Sequence, residues 1–388
     1  MVCSDSGECL AFGRNNGEIH KLFGGFTDFK YALRHVKKLG GDSVNGFVRE
    51  ITYKHGEYTA RAALKSANNR YATNLVYEYH IGKRFINLQT YKFPCFISTY
   101  GLFYYNSDAE HDNMRMYPER DDGPDWGKTL TPAQIDYARA CRDGQRACIL
   151  IQHLKGVTFR RSCWDEHFLQ YDAAYVLFIV YHALKSMSTQ FTHYDLHDEN
   201  VLLFRPSTTH VVQYVYHTSG GVIQFKCAFV PKIIDYGTAY CAVVSDAVLA
   251  ALKTPDCVSY NGYGHMQGFS HLIMASRDGL TSLRKNESHD LRLAHGLTRI
   301  EETPPVLAEL CSRIKYGVGA RRGDERYMTT EDTTLHPDGT VIANVTDMYN
   351  ELAKLVTARA LPESDLPVLG TFHIYDDGSD MTYMRRAA

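Results

Sequence analysis

The segment FTHYDLHDENVLLF places His193, Asp195 and Asn200 in the order H-x-D-x-x-x-x-N, directly after a long apolar run and before a short strand pattern. In phosphoryl transfer an aspartate so placed accepts or orients an attacking hydroxyl, and an asparagine a few residues on faces a metal ion. A second segment, FVPKIIDYGTAY, is an apolar strand that ends in Asp235-Tyr236-Gly237. Its carboxylate is the hard oxygen donor that Mg2+ takes when it bridges nucleotide phosphates. The glycine behind it permits a sharp turn. Either segment alone is a weak signal, because a His-Asp pair in a loop is more often a structural hydrogen-bonded pair. In this order and local setting the two together point to phosphoryl transfer.

These residues need elements to hold them. From about Gly40 to Asn106 the chain is β-rich: GFVREITYKHGEYTARAALKSA reads as two strands turning at His55-Gly56, and FPCFISTYGLFYYN as another. Asn69 to Asn87 between them has helical spacing. Asp108 to Gln145 is polar and reads as an exposed insertion with one helix at Thr131 to Arg142, followed by the strand ACILIQHL. Helices are then predicted at Phe168 to Met187, Ser288 to Leu297 and Thr346 to Ala360. A hairpin about Gly220-Gly221 interrupts them and is expected to be a surface insertion.

With these motifs in order, the chain resembles the protein-kinase-like superfamily. HYDLHDENVLL and IIDYG are most similar to the divergent Ser/Thr-type protein kinases of large DNA viruses, and haspin-type kinases share the DLH and IDY features. The resemblance implies an α+β, bilobal fold: a small β-rich N-lobe with one key helix over 38–151, carrying an insertion at about 107–145, and a larger, mainly helical C-lobe over 152–388. Residues 1–37 would be an N-terminal extension, and about 205–230 the hairpin insertion.

It also implies a nucleotide site. Gly41-Asp-Ser43-Val-Asn-Gly46-Phe-Val48 resembles G-x-G-x-x-G-x-V with Ser43 at the middle glycine. Ala62-Ala63-Leu-Lys65 resembles V-A-I-K, so that Lys65 would hold phosphates, Ala63 would line the nucleotide, and Glu78 on the next helix would pair with the lysine. ILIQHLKG resembles the strand and hinge that bind adenine, with Gln152 to Leu154 as backbone partners of the base and Leu202 beneath it. His193 and Asp195 would be catalytic, Asn200 and Asp235 would bind Mg2+, and Asp290 would anchor the loop backbone. ATP and Mg2+ are the implied cofactors, and a protein hydroxyl the implied acceptor.

Two positions depart from the family pattern. Tyr194 replaces an arginine that reads a phosphorylated activation loop, and His197 stands where Ser/Thr kinases carry a lysine. No A-P-E sequence follows Asp235. A small-molecule phosphotransferase of the aminoglycoside or choline type therefore stays open, as does a nucleotide-binding pseudokinase scaffold.

Composition narrows the partners. Lys and Arg total 42 against 44 Asp and Glu, a net charge of -2, so no basic field invites nucleic acid or an anionic membrane. The most apolar stretch, Ala174 to Leu184, is shorter than the roughly 20 residues a membrane helix requires. The ten cysteines show no C-x-x-C pair and are expected to be reduced thiols. With no signal-peptide pattern at the start, the expected setting is cytoplasmic or nuclear, or the host cytoplasm if the chain is viral.

Overall fold

The computed structural model describes residues 1–5, 7–40, 46–68, 74–133, 146–243, 285–314 and 340–385. Among them, six strands form an antiparallel sheet in the order Lys37–Leu39, Gly46–His55, Tyr58–Ala67, Ala147–Gln152, Thr99–Tyr105, Leu130–Pro132. Side chains on a strand alternate between faces. Ala62 and Leu64 accordingly join Phe47, Ile51 and Leu150 in one apolar cluster, while Ala67, Ala147 and Ile149 join the larger cluster on the opposite side.

The helix expected over Asn69 to Asn87 is described from Asn74. It runs Asn74–Ile81, passes through a π turn at Gly82–Ile86, and ends at Asn87–Gln89. Gly82 is required by contact, since a Cβ there would lie 2.1 Å from Thr99 Oγ1 on the neighbouring strand. In the polar segment, helices form at Asp108–Met116 and Trp126–Thr129. Thr131 lies in a strand rather than starting a helix, because Leu130–Pro132 pairs with the edge at Phe103–Tyr105. Residues 134–145 of that expected helix lie outside the described residues.

The apolar run from Phe168 divides at Asp172 into helices Glu166–Tyr171 and Ala173–Met187. Asp172 is tolerated in this buried setting because its carboxylate accepts the Ala228 amide at 2.7 Å. The second helix is buried on nearly every side. One of the elements enclosing it is the hairpin Val211–Thr218 and Gly221–Cys227, which is not the surface insertion expected from sequence. Val211–Thr218 pairs in parallel with Val368–Tyr375, and with Thr382–Arg385 the hairpin makes a four-stranded sheet. Tyr216 packs edge-on to Phe178 at 5.0 Å, and Phe225 stacks on Tyr175 at 4.8 Å. Local alternation reveals the strands but not a partner strand far along the chain.

Residues 1–37 are likewise integrated. Phe26 stacks on Tyr100 at 4.4 Å, and Phe12 meets Phe372 at 4.9 Å. Strands Val2–Cys3 and Cys9–Leu10 pair with Cys3 opposite Cys9, and the two are joined in a disulfide, correcting the expectation of thiols throughout. Cys95, Cys148, Cys163, Cys227, Cys241 and Cys311 are free and buried. Among the described residues no helix is long and apolar enough to cross a membrane.

The hairpin's place in the core makes a stability prediction. Phe225 is fully buried, so Phe225→Ala should cost about 3–5 kcal/mol, measured by urea denaturation. A change below about 0.5 kcal/mol, the range usual for surface substitutions, would return the hairpin to the surface.

Candidate active site

Lys65 lies on the third strand of the large sheet in chain order, directly across from Val48. Ala63, two residues earlier, shares its face and is buried. The Lys65 ammonium lies 2.7 Å from Glu78 Oε2 on the helix and 3.0 Å from Asp235 Oδ1. Burial lowers the lysine's pKa, but the carboxylates of Asp235 and Glu78 outweigh it and hold Lys65 above its ordinary range. Two carboxylates facing one partly buried ammonium keep it protonated, and burial pushes the Glu78 carboxyl up to about 7.

A short antiparallel ladder places Asp235 beside the loop. Val201 pairs with Ile233, and the Ile234 amide donates to Asn200 O at 3.0 Å. Asn200 and Asp235 therefore stand at the same end of two hydrogen-bonded strands. Tyr236 is buried with its hydroxyl on Ile233 O at 2.6 Å. Asp235 and Tyr194 both adopt positive φ, 67° and 63°. Residues other than glycine take this conformation at a cost, and such strain gathers at functional sites.

The loop itself hangs on Asp290. Its carboxylate accepts the amides of His193 at 2.7 Å and Tyr194 at 3.0 Å, and the Tyr181 hydroxyl donates to its carbonyl at 3.0 Å. Burial pushes the Asp290 carboxyl up to about 7 despite the two donors.

His193, expected among the catalytic groups, is held in the loop by backbone contacts. Its ring is fully buried. Nδ1 accepts the Asp195 amide at 3.2 Å, which assigns the proton to Nε2, and Nε2 donates to Ile234 O at 2.9 Å. Both ring nitrogens are thus engaged by backbone. Burial lowers its pKa to about 4, so the imidazole is neutral.

Asp195 is more open, with 39% of its side chain exposed. Asn200 Nδ2 donates to its carbonyl at 2.9 Å and to Oδ2 at 3.3 Å. Arg292 Nη1 lies 3.1 Å from Oδ1, and His197 Nε2 lies 3.7 Å from the same oxygen. Burial raises the Asp195 pKa; Asp235 adds to that, while His197 and Arg292 oppose it. The sequence reading did not single out Arg292. Its only local signal is its position two residues after Asp290.

The structure thus brings Lys65, Glu78, Asp195, His193, Asn200 and Asp235 into one connected cluster. The remaining candidates divide. Gly41 and Ser43 lie outside the described residues. Gly46 is needed for sheet contact, since a Cβ would lie 2.2 Å from Ser66 O. Leu202 is half-buried between Thr158 and Lys232 in register, and Leu154 packs on the main apolar cluster.

Gln152, expected among the backbone partners of the base, has its amide engaged by a neighbouring carbonyl. A register shift between Thr99 and Gly101 accompanies the pairing, and the Gln152 amide donates to Ser98 O at 2.8 Å. The Gln152 side-chain oxygen in turn accepts the Ser98 amide at 3.3 Å.

Asp235, 41% exposed, and Asn200 present oxygen donors of the kind Mg2+ takes together with phosphate oxygens and water. Among the described residues no group of three or more His, Cys, Asp or Glu could hold a metal by itself.

No protein-family model matches the chain, and no curated protein matches it. Among solved structures, the chain is similar to the crystal structure of a Plasmodium kinase domain at 16% identity, with a TM-score of 0.30. That similarity covers 58% of this chain and 57% of that one, a little over half the length of each.

The neutral, buried imidazole of His193 has a pH consequence. Unfolded chain takes up a proton near the ordinary pKa of about 6.5, whereas folded chain does so only near 4, so stability falls as pH drops between them. The loss attributable to this group is about 3 kcal/mol. In urea titrations at pH 7 and pH 4, His193→Gln should show a correspondingly shallower decline than wild type. Parallel declines would contradict a neutral buried ring.

Proposed function

We propose that the chain is a Mg2+-ATP-dependent phosphotransferase of the protein-kinase-like type that phosphorylates a serine or threonine hydroxyl of a protein. The observation that carries this reading is the junction of Lys65 with both Glu78 and Asp235, set beside a loop that presents Asp195. In this reading the large sheet and its helix form the nucleotide-binding lobe, 38–151, and the following residues form the catalytic lobe, with Leu154 and Leu202 against the base.

Lys65 holds the nucleotide phosphates, and Glu78 fixes its direction. Asp235 and Asn200 would hold Mg2+, which when bound neutralises phosphate charge. Asp195 accepts or orients the acceptor hydroxyl proton, its loop held in place by Asp290 and His193. The likeness of HYDLHDENVLL and IIDYG to kinases of large DNA viruses supports a divergent member of this group. A second reading, transfer to a small-molecule hydroxyl, is favoured by one feature: His197, rather than a lysine, faces Asp195 at 3.7 Å.

Purified protein given Mg2+ and labelled ATP should label itself or a generic acceptor such as casein. Mass spectrometry of a treated lysate separates protein from metabolite acceptors. Asp195→Asn should lower kcat by at least about 100-fold while leaving nucleotide binding in a thermal-shift assay within about twofold, because the residue serves the acceptor. Asp235→Asn should instead weaken the Mg2+-dependent part of that binding. Nucleotide binding without transfer to any acceptor would leave a scaffold.

A further inference from the structure

We infer that Arg292 is a positioning residue for transfer, fixing the Asp195 carboxylate in the orientation in which it receives the acceptor hydroxyl; this rests on the phosphotransferase reading above. The segment 288–292 grips the loop at two levels. Asp290 takes the amides of His193 and Tyr194, which sets the main chain. Two residues on, Arg292 Nη1 bonds Asp195 Oδ1 at 3.1 Å, which sets the side chain.

Asn200 Nδ2 meets the other oxygen, Oδ2, at 3.3 Å, so the carboxylate is held from both ends and its plane cannot rotate freely. The Arg292 contact is the shorter of the two, and it leaves Oδ2 with the weaker partner. A hydroxyl approaching Asp195 meets Oδ2 as the less firmly engaged oxygen.

The arginine is a poor device for stability. Only 16% of its side chain is exposed, and its Nε is buried without a hydrogen-bond partner among the described residues. Burying a guanidinium with an unmet donor is costly. Asp195, by contrast, is exposed enough for water to solvate it once the arginine is gone. An ion pair that does little for folding, yet sits against the candidate base, belongs to the chemistry.

Arg292→Met keeps the approximate volume and removes the charge. It should leave the melting temperature unchanged or raised and the KM for ATP within about twofold. It should lower kcat by roughly 10- to 100-fold, the scale of loss for a misplaced catalytic group. Arg292→Lys should recover part of kcat. In an Asp195→Asn background, Arg292→Met should have no further effect, since the two act as one unit. A high-resolution crystal structure of Arg292→Met should find the Asp195 side chain in more than one rotamer.

An active wild type with kcat of Arg292→Met within twofold of it overturns this inference alone, as does a single unchanged Asp195 rotamer or no recovery in Arg292→Lys. A wild type that transfers phosphate to nothing overturns the underlying reading and this inference with it.

Discussion

One ammonium group, that of Lys65, is shared by two carboxylates that reach it from separate parts of the chain. Glu78 arrives on the helix that follows the lysine's own strand, and Asp235 arrives at the end of a distant strand. The arrangement constrains the sheet, the helix and the loop at once. A like-charged pair of carboxylates would repel one another without the cation between them. The apolar packing around these elements brings the three groups close, and the charge arrangement makes that closeness tolerable. Positive φ at Asp235 and Tyr194 is the visible backbone cost of aiming their segments into the same small region.

The second constraint is backbone satisfaction in the loop. His193 and Tyr194 would carry buried amides with nowhere to go, and Asp290 receives both. The His193 ring then closes the circuit between the Asp195 amide and the Ile234 carbonyl. Histidine suits this place because its neutral ring offers one acceptor and one donor on opposite sides. The two segments of the candidate site are thus held by backbone contacts, leaving Asp195 and Asp235 partly exposed.

Parts of this were legible in the sequence for physical reasons. Strand alternation and helical spacing are local, so the order of the β-rich and helical regions could be read directly. The H-x-D-x-x-x-x-N and D-Y-G segments could be read because their residue types are limited by the chemistry they suit. Lys65 and Glu78 lie on consecutive elements, which made their pairing an inference over short range. What escaped depends on long range or on geometry without a residue signature. Arg292 meets Asp195 across 97 positions. The engagement of the Gln152 amide follows from a register shift near Thr99, and the role of His193 from the direction of its two nitrogens. Cys3 and Cys9 meet through a two-residue ladder that no spacing rule flags.

The parallel pairing of Val211–Thr218 with Val368–Tyr375 has a bearing on how the protein is made. The helix Ala173–Met187 and the hairpin beside it emerge from the ribosome early, with apolar faces that only the later strand completes. During the time needed to synthesise the intervening residues, Val211–Thr218 is an open edge able to pair with any exposed strand. Chains that pair elements so far apart fold slowly and remain prone to association in the interval. The Val211–Thr218 edge thus stays uncovered until the C-terminal strand has been made, and that interval is where chaperone cover of the nascent chain would act.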